Sequence, residues 1–142
     1  MSTSVIGALH QIHTATNDVL KGYREMSTRA QPDIRNVIVR LTEMHERHAV
    51  EQAGQLVRMH DAGKDDLSLQ GTVNKAVVIL RDWLSNLDRD ALPAVRDGEE
   101  SLRKEYDKAL RDKDVSGNAA LVDLLKTQMG SIDSKIARLP RS

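Results

Sequence analysis

The stretch PDIRNVIVRLTEMHERHAVEQAGQLVRMHD, residues 32–61, decides the fold class. Its apolar residues recur at intervals of three and four, which is the pattern of an amphipathic helix. Pro32 suits the first turn of a helix, and Gly63 supplies a stop signal after its end. The predicted inward stripe comprises Ile34, Val37, Ile38, Leu41, Met44, His45, His48, Gln52, Leu56 and Met59. A stripe of this length implies packing against other long helices.

The same signals predict three further long helices and hence an all-α four-helix bundle. Asp90 is a candidate cap for the third helix, and Ser116 or Asn118 for the last. Pro140 marks the limit of the last helix. The predicted helices span residues 4–29, 32–61, 90–113 and 117–138.

A long connection, residues 62–89, joins the second and third predicted helices. Apolar residues at helical spacing, from Val73 to Leu87, predict a short fifth helix there, packed on the bundle through Trp83. The run AVVIL at 76–80 leaves a strand as the alternative. Two helical hairpins joined by one long crossover have the topology of a ferritin-like bundle. The whole chain, residues 1–142, is predicted to form this single domain.

The composition limits the classes of function. Lys and Arg together number 21, as do Asp and Glu, so no net charge draws the chain to nucleic acid or to an anionic membrane. Cysteine is absent, which excludes disulfides, thiolate metal sites and a cysteine nucleophile. The N-terminus has no basic region followed by a long apolar stretch, so no signal peptide is expected. A cytoplasmic protein fits this composition.

The middle of the second stripe is polar and suggests two different kinds of site. One hypothesis is a zinc or iron site formed by His13, His45, His48 and Glu99, because imidazoles and carboxylates suit these metals. It requires His13 to lie level with His48 across the first hairpin. The favoured interpretation is a buried layer of neutral side chains that bond to one another, with His13, His45, Gln52 and Thr16 as members. A third alternative is a rotated helix that leaves both second-helix histidines partly exposed.

Catalytic patterns are weak elsewhere in the chain, and no catalytic residue and no cofactor are predicted. A di-metal carboxylate bundle needs two Glu-x-x-His motifs, and none occurs. The charge-rich stretch that contains Glu99 and Glu100 is typical of a solvated helix face, with pairs to Arg103 and Lys104. Tyr23 and Tyr106 lie on inward stripes, where packing with a bonded hydroxyl is expected.

Four segments carry a resemblance to a known family: LHQIHTATNDVLKGYREMS, HERHAVEQAGQL, VRDGEESLRKEYDKAL and IDSKIARL. The chain resembles a bacterial family of ferritin-like four-helix proteins of unknown function. The matching positions are Gly22, Tyr23, Gly98, Glu99, Glu100 and Tyr106. The chain departs from the family where Leu20 replaces an inward carboxylate and where Asp133 or a neighbour stands in place of a late histidine. The resemblance implies the bundle fold and a stress-associated role, and the departures weaken a metal role.

The expected function is therefore non-enzymatic. The chain is predicted to be a stress-associated or protein-interaction bundle, acting as a homo-oligomer or with a protein partner. A metal-binding or oxidoreductase bundle is the alternative from another class. An adaptor or immunity-type protein that binds one specific partner is the second alternative.

Overall fold

The computed structural model of the chain describes residues 3–60 and 91–140. These residues form four long helices and one short one: α1 Thr3–Ser27, α2 Pro32–His60, α3 Leu92–Leu110, α4 Lys113–Ser116 and α5 Ala119–Ile136. The long helices pack side by side as a bundle, so the predicted all-α bundle is confirmed. The expected crossover helix, its Trp83 contact and the strand alternative at 76–80 lie outside the described residues.

Local sequence signals explain where these helices begin. Pro32 opens α2, and Pro93 lies in the first turn of α3, where its missing N–H leaves no hydrogen bond unmade. The side chain of Asn118, one of the two caps that the sequence offers, accepts a hydrogen bond from Leu121 N and caps α5. The third helix ends at Leu110, short of the predicted residue 113, because Asp112 caps the short α4 that follows.

Contacts between the helices fix their directions. Tyr23 meets His45 while His13 meets Gln52, so α1 and α2 are antiparallel. In contrast, His45 contacts Glu99 and Gln52 contacts Tyr106, and both pairs are 54 residues apart. The chain therefore advances in the same direction along α2 and α3. Arg103 binds Asp133, and Arg96 reaches the end of α5, which makes α5 antiparallel to α3.

The core lies along the axis between the four long helices. Its largest fully buried side chains include Leu9, Ile12, Leu20, Met26, Ile34, Ile38, Leu41, Met44 and Leu102. Four of them, Ile34, Ile38, Leu41 and Met44, belong to the inward stripe that the sequence predicts for the second helix. None of the described helices is long and apolar enough to cross a membrane.

Candidate functional site

The interior of the bundle contains a central polar layer, defined here by Thr16, Tyr23, His45, His48, Gln52, Glu99, Tyr106 and Gln128. All eight side chains are buried, and apolar residues of the core lie above and below them. Every long helix contributes to the layer. Because an unbonded buried polar group costs free energy, the layer has to be explained by its hydrogen bonds.

Glu99 is the centre of one half of the layer. The hydroxyl of Tyr23 donates to Glu99 Oε2, and His45 Nε2 lies 2.8 and 3.0 Å from the two carboxylate oxygens. A carboxylate only accepts, so His45 Nε2 carries the proton of this contact. The three side chains come from α1, α2 and α3 and are completely buried. The pair expected between Glu99 and Arg103 does not form, because Glu99 faces inward.

Burial and the nearby carboxylate keep Tyr23 protonated. Burial is the main cause that raises the pKa of Tyr23 well above its ordinary value, and the negative charge and hydrogen bond of Glu99 add to it. Tyr23 therefore serves as a hydrogen-bond donor to the carboxylate at neutral pH. The bonded hydroxyl predicted for this tyrosine is confirmed.

Gln52 is the centre of the other half of the layer. Its Nε2 donates to Tyr106 OH and Gln128 Oε1, each at 2.9 Å, and lies 3.2 Å from Thr16 Oγ1. The hydroxyl of Tyr106 donates in turn to Gln128 Oε1 at 2.8 Å. The pKa of Tyr106 is raised, chiefly by burial, so this hydroxyl also remains a donor. Gln128 Nε2 donates in turn to the His48 carbonyl and to Oε1 of Glu51, so this network of amides and hydroxyls ends on an exposed carboxylate.

The structure separates the four residues of the metal hypothesis. His45 and Glu99 are in direct contact, and the ring of His48 packs edge-on against that of His45 at a centroid distance of 5.8 Å. His13 instead contacts Gln52 Oε1 through Nδ1 at 3.2 Å and Asn17 through Nε2 at 3.3 Å. His13 lies about four residues, slightly more than one helical turn, further along α2 than the level of His48 expected from the sequence. Helical side chains tilt toward their own N-terminus, so antiparallel partners meet at higher residue numbers than backbone counting gives.

The residues of the layer do not fit a di-metal carboxylate centre. Such a centre needs several inward carboxylates, whereas Glu99 is the one buried carboxylate among the described residues. Gln128 occupies the inward position on α5. Across residues 3–60 and 91–140, no group of three or more His, Cys, Asp or Glu side chains is arranged to hold a metal ion.

His48 is held in its neutral form. Burial, followed by the charges of His45 and Arg47, lowers the pKa of His48 to about 4. Its Nδ1, like that of His45, has no hydrogen-bond partner among the described residues. Protonation of His48 would therefore add a charge to a buried site without compensation.

We expect the stability of the bundle to fall as the pH is lowered from about 6.5 to about 4. The pKa of His48 is lower in the folded chain than in the unfolded chain, so protonation favours the unfolded state in this window. The contribution of neutral His48 to the free energy of unfolding is complete only above this window. Urea unfolding at pH 7 and pH 5 measures the change. Carboxylates also titrate near pH 5, so the test compares wild type with His48→Gln. An equal loss of stability in both proteins would contradict this role of His48.

Arg96 is a buried residue that the sequence does not single out. Its Nη1 donates to the carbonyl oxygens of Ile136 and Leu139, at 2.6 and 2.7 Å, and its Nε lies 3.3 Å from Glu100. It thereby supplies donors to the C-terminal end of α5 from the side of α3. The charge-rich surroundings of Arg96 predicted a solvated face, and no local signal distinguishes this arginine from its neighbours.

Comparison with known proteins adds one relationship. No curated protein and no solved structure matches the chain. A family model described as "Domain of unknown function (DUF2383)" matches residues 4–112. The match includes every member of the central polar layer except Gln128. Since this model covers well over half of the sequence, the chain belongs to the DUF2383 family.

Proposed function

We propose that this chain is a non-enzymatic, ferritin-like bundle that acts by binding another protein. One observation carries the proposal: the central polar layer is closed and largely satisfied by its own hydrogen bonds. Tyr23, His45, Gln52, Glu99 and Tyr106 are each 0 % exposed, so no substrate reaches them in this arrangement. Polar residues in such a layer align the helices and leave recognition to the surface.

The directions of the helices support a ferritin-like topology. Because α2 and α3 run parallel, the end of α2 at His60 and the start of α3 lie at opposite ends of the bundle, as they do in bundles with a long crossover between the second and third helices. A four-helix bundle with one such long crossover is characteristic of ferritin-like folds. The stress-associated role follows only from the family resemblance, and the composition favours a cytoplasmic location.

The test of the proposal distinguishes binding through the surface of the bundle from a role of the central polar layer. The full chain, tagged and purified from its native host, should bring down a partner at a stoichiometric ratio, and purified components should reconstitute the complex. Glu99→Gln, which alters the layer without changing the surface, should retain the complex. Loss of the partner in Glu99→Gln, with the helical spectrum unchanged, would instead assign the function to the layer. A second copy of the chain as the sole partner would make it a homo-oligomer.

A metal-binding bundle is the second candidate, and the meeting of Tyr23, His45 and Glu99 favours it. These residues bring a phenol, an imidazole nitrogen and a carboxylate to one buried point. Binding would require removal of the His45 Nε2 proton, and phenolate ligation would also require deprotonation of Tyr23. The raised pKa of Tyr23 opposes that second step.

Elemental analysis distinguishes the two candidates. Protein purified without added metal should contain fewer than about one transition-metal ion per four chains, because a stable site needs three or four deprotonated ligands held in place. His13→Ala is the matched control, since His13 contacts Gln52 rather than Glu99. Stoichiometric zinc or iron that is lost in His45→Ala and retained in His13→Ala would establish the metal-binding alternative.

A further inference from the structure

A groove lies at one end of the bundle, where the first half of α2, the start of α3 and the end of α5 meet. It consists of two adjoining cavities with volumes of about 200 and 420 Å³. Both cavities are lined by Val37, Leu92, Arg138 and Leu139, so they form one continuous depression. None of these residues belongs to the central polar layer, and the groove is therefore separate from it.

The groove combines an apolar floor with a cationic rim. The floor consists of the shared apolar residues together with Ile34 and Leu41. The rim consists of Arg40, Lys135 and Arg138. Asp33 is the one acidic residue of the lining, and one of its oxygens already accepts a hydrogen bond from the Ile34 amide. Three positive side chains thus stand against one negative side chain in the lining of the groove.

The three cations form no ion pair with the residues that the structure describes. Within residues 3–60 and 91–140, no ion pair involves the side chains of Arg40, Lys135 or Arg138, whereas Arg24, Arg103 and Arg111 are paired. Stabilisation of the α5 C-terminus would account for cations at positions 135 and 138. However, Arg96 already donates to the Ile136 and Leu139 carbonyls at that end. Arg40 lies inside α2, away from both helix ends, so stabilisation of a helix terminus does not account for its charge.

We propose that this groove binds an acidic amphipathic helix of a partner protein. The inference rests on the proposed function, that the bundle acts by binding a protein, and it names the surface and the chemistry of the partner. The two adjoining cavities offer room for apolar side chains from one face of a helix, and Glu or Asp residues beside them would meet Arg40, Lys135 and Arg138. The groove is open along one side, so a small amphiphile would remain largely exposed there, unlike a ligand in an enclosed pocket.

The test uses the full chain and a synthetic 16-residue helical peptide with two leucines four positions apart, flanked by glutamates. Backbone amide NMR shifts should concentrate at Val37, Arg40, Leu92 and Leu139. The double variant Arg40→Glu and Arg138→Glu should weaken binding at least about tenfold, since reversed rim charges repel the glutamates. Lys126→Glu, an exposed charge reversal elsewhere on α5, should change affinity less than about twofold. Should the double variant fail to fold, Arg40→Gln with Arg138→Gln replaces it.

Three outcomes would overturn the groove proposal. In the first, a peptide with lysines in place of the glutamates binds equally well. In the second, the acidic peptide does not bind at about 1 mM. In the third, dodecanoate shifts the amide signals of the groove and the peptide does not. The proposed protein-binding function is judged by a separate measurement. A partner reconstituted from purified components that binds the double variant as tightly as wild type would leave the protein-binding function intact and place its surface elsewhere.

Discussion

Replacing Glu99 by alanine is expected to lower the free energy of unfolding by about 3–5 kcal/mol, because it breaks a fully buried hydrogen-bonded pair. The Tyr23 hydroxyl and His45 Nε2 would lose their common acceptor in a site that is 0 % exposed. Urea unfolding at pH 7, followed by circular dichroism, measures the loss. Glu99→Gln should cost less, since its amide oxygen still accepts one hydrogen bond.

Glu46→Ala is the matched control for this experiment. Glu46 binds Arg24 at 3.0 Å, but the two side chains are 48 % and 59 % exposed. An exposed ion pair of this kind contributes less than about 1 kcal/mol. If Glu99→Ala were no more destabilising than Glu46→Ala, the Glu99 contacts would not stabilise the bundle, and the structural role of the central polar layer would be wrong.

Replacing Arg96 by methionine is expected to cost about 2–4 kcal/mol, since two charge-assisted hydrogen bonds are lost, although the Ile136 carbonyl still accepts from the Leu139 amide. Methionine retains the length and most of the apolar contact of the arginine stem. The loss should be accompanied by faster amide hydrogen exchange in the last turn of α5, where Ile136 is located, than in its first turn.

The control for Arg96 is Arg111→Met. Arg111 also pairs with a carboxylate four residues away, Asp107 at 2.9 Å, but its side chain is 79 % exposed. It should therefore change the free energy of unfolding by less than about 0.5 kcal/mol. If amide hydrogen exchange in Arg96→Met were equally fast along the whole of α5, the arginine would stabilise the bundle generally rather than the end of this helix.

The sequence predicts features of this fold that depend on nearby residues. Pro32 and Asn118 mark helix starts through the geometry of one turn, so both are readable without knowledge of the other helices. The inward direction of His45 follows from the apolar residues on the same helix face, whereas the charge-rich surroundings of Glu99 point to a solvated face. These local patterns were sufficient to predict the number of long helices and the polar interior.

Other features depend on how separate helices meet. The sequence placed His13 opposite His48, whereas the structure places it beside Gln52. That displacement depends on the tilt of side chains and the relative height of two helices, neither of which is a property of one segment. Arg96 illustrates the same limit, because its hydrogen-bond partners are backbone carbonyl groups 40 and 43 residues away.

The parallel course of α2 and α3 also has a kinetic consequence. The hydrogen bonds of the central polar layer join residues far apart in the chain: Tyr23 and Glu99 are 76 residues apart, and Gln128 and the His48 carbonyl are 80 apart. The α1–α2 hairpin closes through a short turn, so it should form before such distant contacts. Substitutions in the layer, such as Glu99→Gln, should then accelerate unfolding with little effect on the refolding rate, as stopped-flow measurements in urea would detect. The residues that align the helices would thereby control how long the folded bundle persists.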